Sequence, residues 1–245
     1  MRPAPDRLVG LGGSAVRVLT MGGSGRALEA WVASLDEPRT AASGRMLAQQ
    51  LIVHNEIVDA ALAAGSTPLP ARFGTFFPDD AACIADLTRR ASALRRILER
   101  VEGCVELTAL VVPSTSRLLR ELEPVGPRPE LHEQHAGRRY MESLRAHSNQ
   151  DAAIRTRAML LIERLSSGVR SVVRQETRGR SVNGVYSVSH LVPRASQDAY
   201  REAVSAVAPG PDFRIVVSDP RAPYSFARDQ EDSPGHDSGS LSSND

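Results

Sequence analysis

Between two helical patterns runs Pro68-Leu69-Pro70-Ala71-Arg72-Phe73-Gly74-Thr75-Phe76-Phe77-Pro78, and no other stretch constrains the fold as much. Its three prolines fix φ and push the residues before them towards extended backbone, so it cannot continue either helix. It holds three of the five phenylalanines in a chain with 4% aromatic residues, far more apolar area than a linker needs. On residue chemistry alone it is an aromatic plug that docks two helices onto a sheet. Phe73, Phe76 and Phe77 should not all share one face. At least one is expected in the core, where truncation to Ala would cost about 3–5 kcal/mol. Arg72 has no acidic neighbour in sequence and is expected to hydrogen-bond a carboxylate or backbone carbonyls, holding the turn that Gly74 permits.

The helices on either side follow from spacing. Leu47, Leu51, His54, Val58, Ala61 and Gly65 alternate steps of four and three, the stripe of an amphipathic helix from about Ser43 to Gly65. His54 on that stripe reads as a core or boundary histidine, because His54-Asn55-Glu56 does not supply the partner spacing of a metal motif. After the connector, Asp79 and Asp80 favour a helix start. Ile84, Leu87, Ala91, Leu94, Leu98 and Val101 then form one unbroken seam, closed by Gly103 as a C-terminal cap. Arg89, Arg90, Arg95, Arg96 and Arg100 occupy the other faces, diluted by Asp86, Glu99 and Glu102, and read as a solvated surface.

Strand signals flank this helical region. Val16–Leu19 is a short extended run between the glycine pairs 12-13 and 22-23, Leu28–Val32 follows as a second, and 105–112 alternates until Pro113 ends it. Gly10-x-Gly12-x-x-Ala15 imitates a dinucleotide fingerprint, but a β-branched run follows where that motif needs a helix, so it reads as turn chemistry. Beyond the prolines at 113, 124, 127 and 129, Tyr140, Leu144, Ile154, Ala158, Leu161, Leu165 and Val172 keep heptad spacing in a helix from about 130 to 178. His147, Asp151 and Gly168 interrupt that seam and are expected to mark a kink or a partner-facing groove. Strand, helix and strand follow at 184–192, 196–207 and 213–217. The expected fold is α+β in two units. An N-terminal α/β sandwich-like domain spans 1–112, and a Pro-rich hinge spans 113–130. A C-terminal domain at 131–228 carries the long coiled-coil-like helix plus β-α-β, and 229–245 is a disordered tail.

Composition narrows the function classes. Thirty basic against twenty-nine acidic residues leave +1, which points to neither nucleic acid nor lipid. Every basic residue other than histidine is Arg. Cys83 and Cys104 are the only cysteines and form no Cys-x-x-Cys pair, so reduced thiols are expected. His132 and His135 have no third ligand nearby in sequence, and neither a nucleophile elbow nor a compact carboxylate pair is present. The chain is therefore expected to have no catalytic, cofactor or metal residues. With neither a signal peptide nor a membrane-length apolar run, it is expected to be cytoplasmic.

Taken together, the His54 helix, then Leu69-Pro70-x-Arg72-Phe73-Gly74-Thr75, then a helix ending at Gly103 and a strand with Glu106 resemble the gas vesicle protein L/F family. A second motif, Pro220-Arg221-Ala222-Pro223-Tyr224-Ser225-Phe226, resembles that family's terminal Gly-Pro-x-Pro-Pro-Tyr-Ser-Phe. Asp219 replaces the glycine and Ala222 one proline, while Tyr224, Ser225 and Phe226 are intact. The family's opening Tyr-x-Tyr-Gly strand has no counterpart in this sequence. The resemblance covers roughly 45–228 and implies a gas vesicle accessory or minor structural protein, not an enzyme. It implies as partners the main gas vesicle shell protein, which is small and hydrophobic, and other gas vesicle accessory proteins. The implied location is the gas vesicle, in the cytoplasm. Oligomeric state is not implied. The competing class is a nucleic-acid-associated regulator that uses the arginine-rich helix faces on phosphates.

Overall fold

The computed structural model describes residues 8–22, 27–35, 44–114, 136–182 and 184–227; at 44–45, 136–144 and 146–151 it describes backbone alone. Contacts divide the chain into two compact units, Met1–Glu102 with Ala222–Asp245, and Gly103–Arg221.

In the first unit, β1 (Arg17–Met21) and β2 (Leu28–Val32) form an antiparallel two-stranded sheet in which Val18 faces Trp31. Gly12 and Gly13 have φ of 86° and 83° in the turn before β1, so the glycine-rich start is a turn leading into a strand, as its β-branched sequel requires. Helix α1 (Gly44–Ala63) ends on Gly65 at φ 82°. The Ser66 and Gly65 amides donate to the Ala61 and Leu62 carbonyls, the two bonds of a Schellman cap. Helix α2 (Asp80–Arg89) begins where Asp79 Oδ1 accepts the Ala82 amide at 2.7 Å. The chain was expected to run on as one helix to Val101. Instead it breaks at Arg90 (φ −93°, ψ 3°), and α3 (Ala91–Val101) follows. The buried side chains are Cys83, Ile97 and Val101, while Ile84, Leu87, Leu94 and Leu98 of the expected seam are only half-buried. A single straight seam would have buried the latter four.

The second unit runs β3 (Cys104–Pro113), α4 (Ala136–Val169), β4 (Gln175–Arg178), β5 (Tyr186–Pro193), α5 (Gln197–Ser205) and β6 (Phe213–Val217). Its sheet is antiparallel with order β4-β5-β3-β6. This is the split β-α-β arrangement, in which β3 lies between two strands joined through a helix. Two expectations are corrected here. The strand at 105–112 was placed with the first unit, but its pairing with β5 and β6 makes it a central strand of the second. The long helix was carried to 178, but it ends at Val169, and 175–178 pair with β5 as an edge strand. The spacing ran on to Val172, beyond the helix end, whereas Ala158, Leu161 and Leu165 of the same stripe are buried in α4, and Ala158, Leu161 and Ile162 pack with Val111, Tyr186, Val188 and Phe213. The expected hinge lies outside the described residues except at its first two positions, and the expected tail lies wholly outside them.

Among the described residues, therefore, the chain mixes five helices with two antiparallel sheets. No helix among them is long and apolar enough to cross a membrane.

Candidate functional site

The connector does not enter the core. Phe76 and Phe77 are 49% and 38% exposed, and Phe73 is half-buried, which overturns the expected core phenylalanine. Phe73 packs edge-on against His54, with ring centroids 5.8 Å apart. Burial lowers the His54 pKa, and a hydrogen bond to the Ala71 backbone pulls weakly the other way, so the ring is neutral at neutral pH. Leu69 and Pro70 are half-buried. Thr75 closes the turn by donating both its amide, at 3.1 Å, and its hydroxyl, at 2.7 Å, to the Arg72 carbonyl. Gly74 sits at φ 84°, a conformation that resists a β-carbon.

Arg72 holds this turn through its main chain. The guanidinium is exposed and, among the described residues, makes neither a hydrogen bond nor an ion pair, contrary to expectation. Packing explains the outcome: the turn is closed by Thr75, which leaves the arginine side chain no structural task.

The terminal motif arrives at the same turn of α1. Tyr224 Oη donates to Asn55 Oδ1 at 2.9 Å, one residue from the histidine that carries Phe73. Tyr224, Ser225 and Phe226 form a 3-10 turn with Phe226 buried and Ser225 exposed. Arg100 of α3 donates from Nη2 to the Phe226 carbonyl at 2.9 Å. Two motifs separated by some 150 positions thus dock on neighbouring residues, His54 and Asn55. Sequence reasoning missed Asn55 and Arg100. The one signal for Asn55 was a short amide side chain beside the only histidine of an apolar stripe, and for Arg100 there was none, since it was one arginine in a row.

Around this site the α1 stripe changes character. Val58, Ala61 and Leu62 are buried, whereas Leu47, Leu51 and Ile52 are 43%, 38% and 56% exposed. The N-terminal half of the helix therefore presents apolar area to solvent. No group of three or more His, Cys, Asp or Glu among the described residues could hold a metal. His132 and His135 lie outside those residues, as do the side chains of His147 and Asp151. At Gly168 a β-carbon would stand 3.4 Å from Val207 Cγ2, an ordinary packing contact.

The sequence profile of gas vesicle synthesis protein GvpL/GvpF matches residues 2–228. The chain belongs to the GvpL/GvpF family. Among curated protein sequences nothing matches it. Two crystal structures share its fold. The gas vesicle protein GvpF from Microcystis aeruginosa superposes with a TM-score of 0.67 at 19% identity, over 93% of this chain and 95% of that one. GvpF from Anabaena sp. PCC7120 does so with 0.65 at 18%, over 92% of each chain. Membership links the chain to gas vesicle formation and gives the paired motifs their setting: in this GvpL/GvpF chain both are anchored on α1, and Arg72, Phe76 and Phe77 are among the exposed groups there.

Proposed function

We propose that the chain is an accessory or minor structural protein of the gas vesicle that binds the hydrophobic shell protein during assembly. The observation that carries this reading is the docked pair of motifs, which holds Arg72, Phe76 and Phe77 at the surface of a unit whose α1 also exposes Leu47, Leu51 and Ile52. Leu47 and Leu51, four apart, share one face of α1, and Phe76 and Phe77 are consecutive; exposed apolar side chains clustered in this way mark partner surfaces. A shell subunit that is apolar on one side would aggregate before it reached the wall, so a protein that covers it transiently has a physical task.

Apolar burial is not screened by ions as surface charge is. Purified shell protein titrated against the full chain at low and high salt should therefore bind equally well, and a Phe76→Ser, Phe77→Ser variant that melts like the parent should bind weakly. Binding that collapses as salt rises, with retention of DNA at low salt, would instead select the arginine faces and the nucleic-acid reading. The ion pairs of Arg89 and Arg90 with Asp86, at 2.7 and 3.5 Å, weigh against that second reading.

A further inference from the structure

The two edges of the second unit's sheet are built differently. One edge, β4, is Gln175-Glu176-Thr177-Arg178, short and polar, with Arg178 paired to Glu163 and Glu176. Charged, short strands of that kind discourage further pairing. The other edge, β6, is Phe213-Arg214-Ile215-Val216-Val217, with one charge, no proline and Val216 41% exposed. Among the described residues, Arg214 is the one device on it that blunts an edge.

The direction of its free backbone groups can be read from the ladder. At one end the Ser114 amide donates to the Asp212 carbonyl, and at the other the Ser218 amide donates to the Thr108 carbonyl. In an antiparallel pair such residues alternate with ones whose amides and carbonyls point away. Residues 212, 214, 216 and 218 therefore face β3, and Phe213, Ile215 and Val217 turn theirs to the open edge. Beside those residues lies a groove of about 330 Å³ lined by Arg201, Val204, Val207, Pro209, Ile215 and Val217. It lies where the helix-facing side chains of a next strand would sit.

We propose that β6 takes a fifth strand from another polypeptide: an extended segment with small branched aliphatic side chains on one face and an acidic residue on the other. The open amides and carbonyls of 213, 215 and 217 hold its backbone, the groove takes its aliphatic residues, and Arg214 meets the carboxylate across the strands. Among the described residues neither Arg201 nor Arg214 has an ion-pair partner, so the edge is positive and unneutralised. A second copy of this chain fits less well. Pairing β6 with itself about Ile215 would set two Arg214 side chains on one face, a diagonal apart. This surface belongs to the second unit, and the proposal does not depend on which protein binds the first.

The test uses the full chain and a capped seven-residue peptide of alternating valine and threonine with one central glutamate on the threonine face. Fluorescence anisotropy should detect binding, and amide exchange at Ile215 and Val217 should slow when the peptide is present. N-methylating the peptide amides that face β6 keeps every side chain and removes the donors; affinity should fall by more than about tenfold. Replacing the glutamate by lysine should weaken binding several-fold, and Arg214→Glu, at an exposed site, should reverse that preference. The proposal is overturned if the peptide does not bind the folded chain, if the N-methylated peptide binds equally well, or if the charge exchange changes nothing. It is also overturned if sedimentation shows a dimer whose formation the peptide competes against, because the occupant is then a second copy.

Discussion

Gly74 and Arg72 stand two residues apart and test opposite propositions about the connector. A β-carbon at Gly74 would meet nothing within 4 Å, so the only cost of Gly74→Ala is the left-handed backbone at φ 84°. That cost is about 1–2 kcal/mol, and urea denaturation should register it as a lower midpoint with an unchanged slope. Arg72 has a side chain with no partner among the described residues, so Arg72→Ala should leave the midpoint where it is. Its effect should instead be read in shell-protein affinity, and a destabilised Arg72→Ala protein with normal binding would reassign the residue to the fold. Sequence reading recognised these positions because prolines, a glycine and clustered aromatics are strong local signals. It misjudged their burial because a phenylalanine reports how much area it could bury and not whether anything covers it.

Helix ends were legible for the same local reason, and helix continuity was not. Asp79 was expected to start α2, and its carboxylate does accept the Ala82 amide. Asp79→Ala should therefore cost about 0.5–2 kcal/mol by removing the cap, while Asp79→Asn should retain most of it. A comparison of their thermal midpoints would check the assignment. Arg90 carries no proline or glycine to announce the break between α2 and α3, and propensity favours helix through it. The strand β4 was hidden likewise: Gln175-Glu176-Thr177-Arg178 has no apolar alternation, because an edge strand with little buried face needs none. Its assignment rests on pairing with β5, a contact between segments that no local pattern encodes. The strands β3, β5 and β6 were found to within two residues because each has a buried face.

Across the second unit, one buried polar chain links three elements. His190 of β5 is fully buried, with Nδ1 2.9 Å from Tyr200 Oη of α5 and Nε2 3.3 Å from Glu176 of β4. Burial lowers the His190 pKa below the ordinary 6.5, against the pull of Glu176. Burial also pushes up the Tyr200 phenol. For Glu176 burial works upward, but the polar groups around it, Arg178 and His190 among them, outweigh this and its carboxyl is lowered from 4.5. The signs agree. The unfolded chain takes up the His190 proton first, so stability is full above about pH 6.5 and drains as pH falls towards the folded-state value. The Glu176 contribution is present above about pH 4.5 and is lost as pH falls through its own lowered value. Melting temperature should thus fall continuously on acidification from neutrality, and His190→Gln should flatten the upper part of that curve.

The threading of the chain has a consequence for how the protein is made. Tyr224 reaches Asn55 across 169 positions, Arg100 reaches the Phe226 carbonyl across 126, and Ser218 caps the Thr108 amide across 110. A ribosome releasing this polypeptide from its N-terminus can complete neither unit early. The first waits for the Tyr-Ser-Phe turn, and the second waits for β6 to close on β3. Until then an apolar β3 emerges without its cover, and long-range pairings of this kind form slowly. Synthesis rate and chaperone supply should therefore govern the yield of this protein more than its final stability does.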